Sequence, residues 1–222
     1  MTESELELYG HPFSAYTWKV LIPLYENATV FTFKEVGPNH PENTATLQSR
    51  SPLEKFPLLL DGGRAVFESS IIIEYLQTYH PGKVSFIPSD ELSALSVRTL
   101  DRFFDLYVMT PTQRVVDDAL RPPDQRDRKT VEDSKVFLLK SYSWLEEELR
   151  GRDFACGSVF SLADCAAAPS LFYADWVCEI PESHTALRAY RAQLMARPSV
   201  RRCIEDARPY RPLFPLGAPD RD

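Results

Sequence analysis

Apolar positions change period several times along the first part of the chain and settle into a helical period in the rest. Leu6-Glu7-Leu8-Tyr9 alternates as a strand does and stops at Gly10-His11-Pro12. Residues 30–36 (VFTFKEV) repeat the alternation, with Phe31 and Phe33 on one side. The intervening SAYTWKVLIPLYEN is long enough for a helix, with Pro23 disturbing its last turns and Asn27 as its stop. Leu58-Leu59-Leu60 and Ala65-Val66-Phe67 flank Asp61-Gly62-Gly63-Arg64, which supplies the positive φ that a hairpin turn demands. Ser69 or Ser70 then caps a helix bearing Ile72, Ile73 and Leu76, which His80-Pro81-Gly82 ends. With HPENTATLQSRS as a short helix, the order is β-α-β-α-β-β-α.

Beyond a linker at residues 83–90, Leu92, Leu95, Leu100, Phe103, Phe104 and Tyr107 outline a long amphipathic helix, closed or kinked near Pro111. Leu138, Tyr142, Leu145 and Leu149 form a second apolar stripe that ends at Gly151. FSLADCAAAPSLFYADW reads as a buried helix, capped by Ser161 with Asp164 returning the bond, stapled by Phe160 against Cys165, and closely packed through its alanines. One or two helices flank Arg197-Pro198-Ser199, and the proline-rich tail from Pro209 reads as an extended arm. The expected fold is therefore an α/β domain over residues 1–82, a linker over 83–90, an all-α domain over 91–208 and an extended tail over 209–222.

Composition narrows the function classes. The chain has 222 residues, a formal charge of −7 and a pI near 5.2. That balance lacks the basic footprint that nucleic acid or an anionic membrane would require, so neither is expected as a partner. No stretch reaches the roughly 18 apolar residues of a membrane span, and the first residues carry glutamates where a signal peptide would be basic and then apolar. A cytoplasmic address is the expectation. Cys156, Cys165, Cys178 and Cys203 show no C-x-x-C spacing and the histidines form no ligand cluster, so reduced structural thiols and no metal are expected.

The segment KFPLLLDGGRAVFESS, residues 55–70, carries the candidate chemistry. A proline opening a strand through a cis bond turns the preceding residue so that its N–H and C=O face outward as an unpaired edge with which a peptide can pair. The hairpin then delivers Glu68-Ser69 to a helix start, where free N–H groups and the positive dipole end favour a carboxylate. Lys55-Phe56-Pro57, the hairpin and Glu68-Ser69 at this spacing, with a β-α-β unit upstream and the Ser161-x-x-Asp164 box downstream, resemble the cytosolic glutathione transferases over nearly the whole chain.

The resemblance implies a thioredoxin-like N-terminal domain, an all-α C-terminal domain and glutathione as co-substrate. It places the cysteinyl backbone of glutathione on Phe56 beside Pro57, the γ-glutamyl end on Glu68 and Ser69, and the glycyl carboxylate near Lys55, with His40 as a further candidate. Glu54 stands where many relatives have glycine, and Phe56 where many have valine. Ser14 matches the family's thiol-activating position at the start of the first helix; Tyr16, Thr17 and Tyr9 are its neighbours and rivals, and His11 reads as a loop histidine. A hydroxyl there donates to the sulfur anion and lowers the thiol pKa. Phe13, Tyr16, Tyr107, Met109 and Trp176 are the candidates for the electrophile pocket.

The expected function is glutathione conjugation to a hydrophobic electrophile, in a detoxifying homodimer by resemblance. A dehalogenase, isomerase or peroxidase on the same scaffold, or a non-catalytic binding or assembly module, is the alternative. A disulfide reductase is disfavoured because no cysteine precedes Cys156.

Overall fold

Four strands form one sheet in the order β2-β1-β3-β4: β1 is Leu6–Gly10, β2 Thr32–Glu35, β3 Leu58–Asp61 and β4 Arg64–Phe67. The computed structural model describes residues 5–222, and the chain divides into one unit ending at Ile87 and another spanning Pro88–Asp222. In the first unit, β1 runs parallel to β2 and antiparallel to β3, which pairs with β4 through the Gly62-Gly63 turn. Helix α1 (Ala15–Glu26) connects the parallel pair, α2 (Pro41–Arg50) follows β2, and α3 (Ser69–Tyr79) follows β4.

Side-chain alternation divides the core between the two faces of the sheet. Tyr9, Leu58 and Leu60 meet Val36 and Leu47, the buried residue of α2. Leu8 and Leu59 point the other way and are fully buried, as are Trp18 and Ile22 of α1 and Ile72 and Ile73 of α3. The second strand is shorter than its alternation suggested: Val30 is 89% exposed and the pairing begins at Thr32. Pro23 does not break α1, which runs on to Glu26, where the N–H groups of Asn27 and Ala28 close onto Pro23 O and Tyr25 O.

The segment expected as a linker is tied down over its first half. The Asn27 amide exchanges two hydrogen bonds with the Val84 backbone, and Gln77 does the same for Phe86 and Ile87. Gly82 permits this approach, since a Cβ there would lie 2.2 Å from the Asn27 side chain.

The second unit is helical: α4 (Glu91–Phe103), a π-helical segment (Phe104–Met109), α5 (Thr110–Leu120), α6 (Arg128–Glu148), α7 (Leu162–Val177), α8 (Thr185–Ala196) and α9 (Pro198–Ala207). Pro111 neither ends nor sharply stops the first of these. Proline lacks the N–H that the carbonyl four residues back would accept, and that carbonyl, Tyr107 O, accepts instead from Ser141 Oγ of α6 at 2.8 Å. The expected cap of α7 is present: Asp164 accepts from the Ser161 N–H at 2.8 Å and hydroxyl at 3.0 Å. Its carboxylate also receives the Ala155 N–H and the Tyr190 hydroxyl, so one buried side chain ties α7, the preceding loop and α8 together.

The tail is not an extended arm. It opens as a 3-10 helix over Arg208–Leu213, buries Phe214 and lays that ring 5.2 Å from the Trp176 ring. Arg221 then pairs with Asp175, and Asp222 with Arg208. The apolar surface of Trp176 gives the tail something to cover, which no local pattern in its prolines announces.

Candidate glutathione site

Strand register brings the candidate residues to one end of the sheet. Tyr9 of β1 pairs with Leu58 of β3, and Leu58 pairs with Phe67 of β4, so three consecutive strands share one row. Just past that row the chain continues as Gly10 to Ser14 from β1, as Phe56-Pro57 entering β3, and as Glu68-Ser69 leaving β4. Gly10 pairs with Glu35 of β2, which leads the His40 loop to the same end.

The loop after β1 is held by its own side chains. A Cβ on Gly10 would lie 2.7 Å from both branches of buried Thr17, so the strand end needs glycine for this approach. The Thr17 hydroxyl accepts from the His11 N–H at 3.3 Å, His11 Nδ1 accepts from the Phe13 N–H at 3.1 Å, and Trp18 Nε1 donates to Pro12 O at 2.6 Å. Ser14 ends the loop as the N-cap of α1 with an extended backbone, and its Oγ accepts from the Thr17 N–H at 3.3 Å. Accepting that bond leaves the hydroxyl proton to be donated elsewhere. Phe13 and Tyr16, on either side of Ser14, are half-buried.

Tyr9 is a poor rival to Ser14. It belongs to the sheet core, and burial above all pushes its phenol pKa up, with Glu7 acting in the same direction. Thr17 is fully buried with its hydroxyl turned to the loop backbone.

The Phe56–Pro57 peptide is cis. Neither the N–H nor the C=O of Phe56 bonds to another described residue, so both remain as a one-residue edge. Lys55 is exposed, and its carbonyl accepts from Ser51 Oγ at 2.9 Å. Glu54 has φ of 55°, the left-handed conformation that glycine takes without strain.

The start of α3 differs from its expected form. Neither serine is the N-cap; Glu68 takes that place with φ of 70° and ψ of 114°, and it supplies no side-chain cap. The left-handed turn at Glu68 swings the chain directly into the helix, leaving the first N–H groups of α3 without a capping side chain. Ser69 is 6% exposed and its hydroxyl bonds to no described residue. Ser70 accepts a hydrogen bond from Lys19 Nζ at 3.0 Å, a contact that no spacing in the sequence announced. His40 caps α2 with its backbone only, its ring nitrogens 3.9 Å from Glu35 and Glu42.

In the helical unit, Tyr107 keeps an exposed ring set edge-on to Phe103 at 5.2 Å, whereas Met109 is buried. Trp176 is half-buried and packs against Phe172, Tyr173 and Phe214. The unit has a cleft of about 480 Å³ bounded by Leu95, Leu100, Trp144, Arg152 and Cys156, which none of the three lines. Burial pushes the Cys156 thiol up to about 11, so it is protonated at neutral pH.

The sequence matches the family described as "Glutathione S-transferase, N-terminal domain" over residues 8–84 and "Glutathione S-transferase, C-terminal domain" over residues 105–198. A probable glutathione S-transferase of Nicotiana tabacum is 26% identical over 74% of this chain and 69% of its own length. A probable maleylacetoacetate isomerase of Vibrio cholerae is 25% identical over 92% and 97%. A crystal structure of a Methylobacterium radiotolerans glutathione S-transferase in complex with glutathione sulfonate superposes with a TM-score of 0.79 at 25% identity, covering 90% of this chain and 94% of that one.

Proposed function

The chain belongs to the glutathione S-transferase family, and on that footing we propose an enzyme that binds glutathione at the end of the β1-β3-β4 row, stabilises its thiolate and delivers it to a hydrophobic electrophile. The observation that carries this reading is the register of Tyr9, Leu58 and Phe67, which gathers a hydroxyl, a free peptide edge and an open helix start at one end of one sheet. Phe56 offers its N–H and C=O to the cysteinyl backbone. The first turn of α3 and the Ser69 hydroxyl take the γ-glutamyl carboxylate, and Glu68 faces the ammonium. Lys55 meets the glycyl carboxylate, with His40 as a second candidate contact for it. Ser14 holds its hydroxyl proton toward the sulfur while Thr17 fixes the oxygen. Phe13 and Tyr16 are proposed electrophile contacts beside Ser14, and Tyr107 offers aromatic surface in the helical unit.

Calorimetry with glutathione tests the site. Wild type should bind, and Ser69→Ala or Glu68→Ala should weaken binding by about 1–3 kcal/mol, the range for hydrogen bonds to charged groups. Absence of glutathione binding would instead favour a non-catalytic member of the fold.

Glutathione-dependent isomerisation is the second reading, favoured by the relative of that name spanning 92% of this chain. Conjugation consumes glutathione in step with the electrophile, whereas isomerisation returns it, so a glutathione balance separates the two. The protein is also proposed to act as a homodimer in the cytoplasm. Phe67 on the edge strand β4 and Ile71 and Tyr79 on α3 are 45%, 53% and 63% exposed, an apolar surface suited to a second copy. Sedimentation of wild type against Ile71→Glu tests the dimer. The cysteines are free thiols, consistent with a reducing compartment, and no helix among the described residues is long and apolar enough to cross a membrane.

A further inference from the structure

Lys19 is among the largest fully buried side chains of the described residues, at 1% exposure. An ammonium in such surroundings costs several kcal/mol unless hydrogen bonds and charges compensate it, and an apolar side chain would fill the same space without that cost. The position therefore calls for an account beyond packing. Lys19 lies on α1, five residues after Ser14, and its Nζ donates to Ser70 Oγ at 3.0 Å. Ser70 is the second residue of α3, directly after Ser69 and within the turn whose N–H groups have no side-chain cap.

The two helices hold opposite ends of the tripeptide site described above. Ser14 starts α1 at the thiol end, and Ser69 starts α3 at the γ-glutamyl end. A bond from the second turn of α1 to the first turn of α3 sets the separation that bound glutathione has to span.

We propose that Lys19 is a positioning residue for glutathione: through Ser70 it fixes the first turn of α3 against α1. The inference rests on the assignment of Glu68 and Ser69 to the γ-glutamyl end. Lys19 touches no substrate, so its effect falls on glutathione affinity and not on the electrophile.

The test compares Lys19→Met, Lys19→Arg, Ser70→Ala and the Lys19→Met/Ser70→Ala double variant by calorimetry with glutathione, thermal unfolding and steady-state kinetics. Lys19→Met and Ser70→Ala should each raise the glutathione Kd and KM about tenfold, as expected for loss of one charge-assisted hydrogen bond. The KM for the electrophile should stay unchanged. The double variant should lose less affinity than the sum of the single losses, because both residues share the Lys19–Ser70 contact. Lys19→Arg keeps the charge and should recover part of the affinity. If Lys19→Met does not fold, Ser70→Ala and Lys19→Arg give the decision. Wild-type glutathione affinity in Ser70→Ala, or in a folded Lys19→Met of altered Tm, would overturn the inference and leave Lys19 a structural residue. A wild-type protein that does not bind glutathione would overturn the site and this inference together.

Discussion

Ser14 Oγ accepts a hydrogen bond from the Thr17 backbone N–H at 3.3 Å, so the hydroxyl proposed to face the thiolate is also the cap of α1. The two roles separate by substitution. Ser14→Ala should destabilise the protein by about 1 kcal/mol through the lost cap and also raise the pKa of the bound thiol. Ser14→Asp keeps a capping oxygen but carries no proton to donate and repels a thiolate. Its Tm should return toward wild type while the thiol pKa stays raised. Thiolate absorbance of bound glutathione against pH, alongside thermal unfolding, checks both. A wild-type thiol pKa in both variants would leave Ser14 as a cap alone.

Gly10 and Thr17 meet so closely that the loop has no room for a methyl group. Gly10→Ala places a Cβ 2.7 Å from two atoms of a buried, β-branched side chain that is bonded to the His11 N–H. The loop must shift, at a cost of about 1–3 kcal/mol, and Ser14 shifts with it. Adding Thr17→Ala removes the two closest atoms, so the double variant should lose less stability than the sum of the single losses. Chemical denaturation of the four proteins measures the difference.

Glu54 and Glu68 both hold left-handed backbones, with φ of 55° and 70°. Glycine adopts that region without the clash that costs other residues about 1–2 kcal/mol, against a loss of about 0.5–1 kcal/mol in chain entropy. Glu54→Gly should therefore raise stability slightly and leave glutathione affinity near wild type. Glu68→Gly should raise stability too but weaken glutathione binding, since the proposed ammonium partner is gone. Unfolding and calorimetry on the pair test whether the strain at Glu68 is kept for binding.

His11 gives the loop a pH dependence. Burial holds its imidazole below the usual histidine range, with Glu35 pulling the other way, and its Nδ1 accepts from the Phe13 N–H. A depressed folded-state pKa means that the neutral ring stabilises the fold. That contribution is complete above the unfolded value of about 6.5 and is lost as pH falls through the folded value. The Tm of wild type should fall more steeply on acidification than that of His11→Asn, whose amide oxygen preserves an acceptor that does not titrate. Parallel slopes would show that His11 does not control the loop.

Much of this architecture follows from local pattern. The alternation around Leu8, the Gly62-Gly63 turn, the Ser161-Asp164 cap and the placement of Ser14 at a helix start each depend on residues within a turn or a short strand of one another, and each can be read in one dimension. So can Pro57 as a strand opener ahead of Glu68-Ser69. What the chain could not reveal by itself depends on partners distant in sequence. The row of Tyr9, Leu58 and Phe67 exists only once three strands align. The helix passes Pro111 because Ser141, thirty residues on, supplies the missing donor to Tyr107 O. The tail folds because Phe214 finds Trp176, and Lys19, which reads as one more polar position in a helix, becomes a buried charge only when α3 closes over it and brings Ser70 within reach. Local propensity selects the elements; the burial of polar groups, and the partners they then require, is decided when the elements meet.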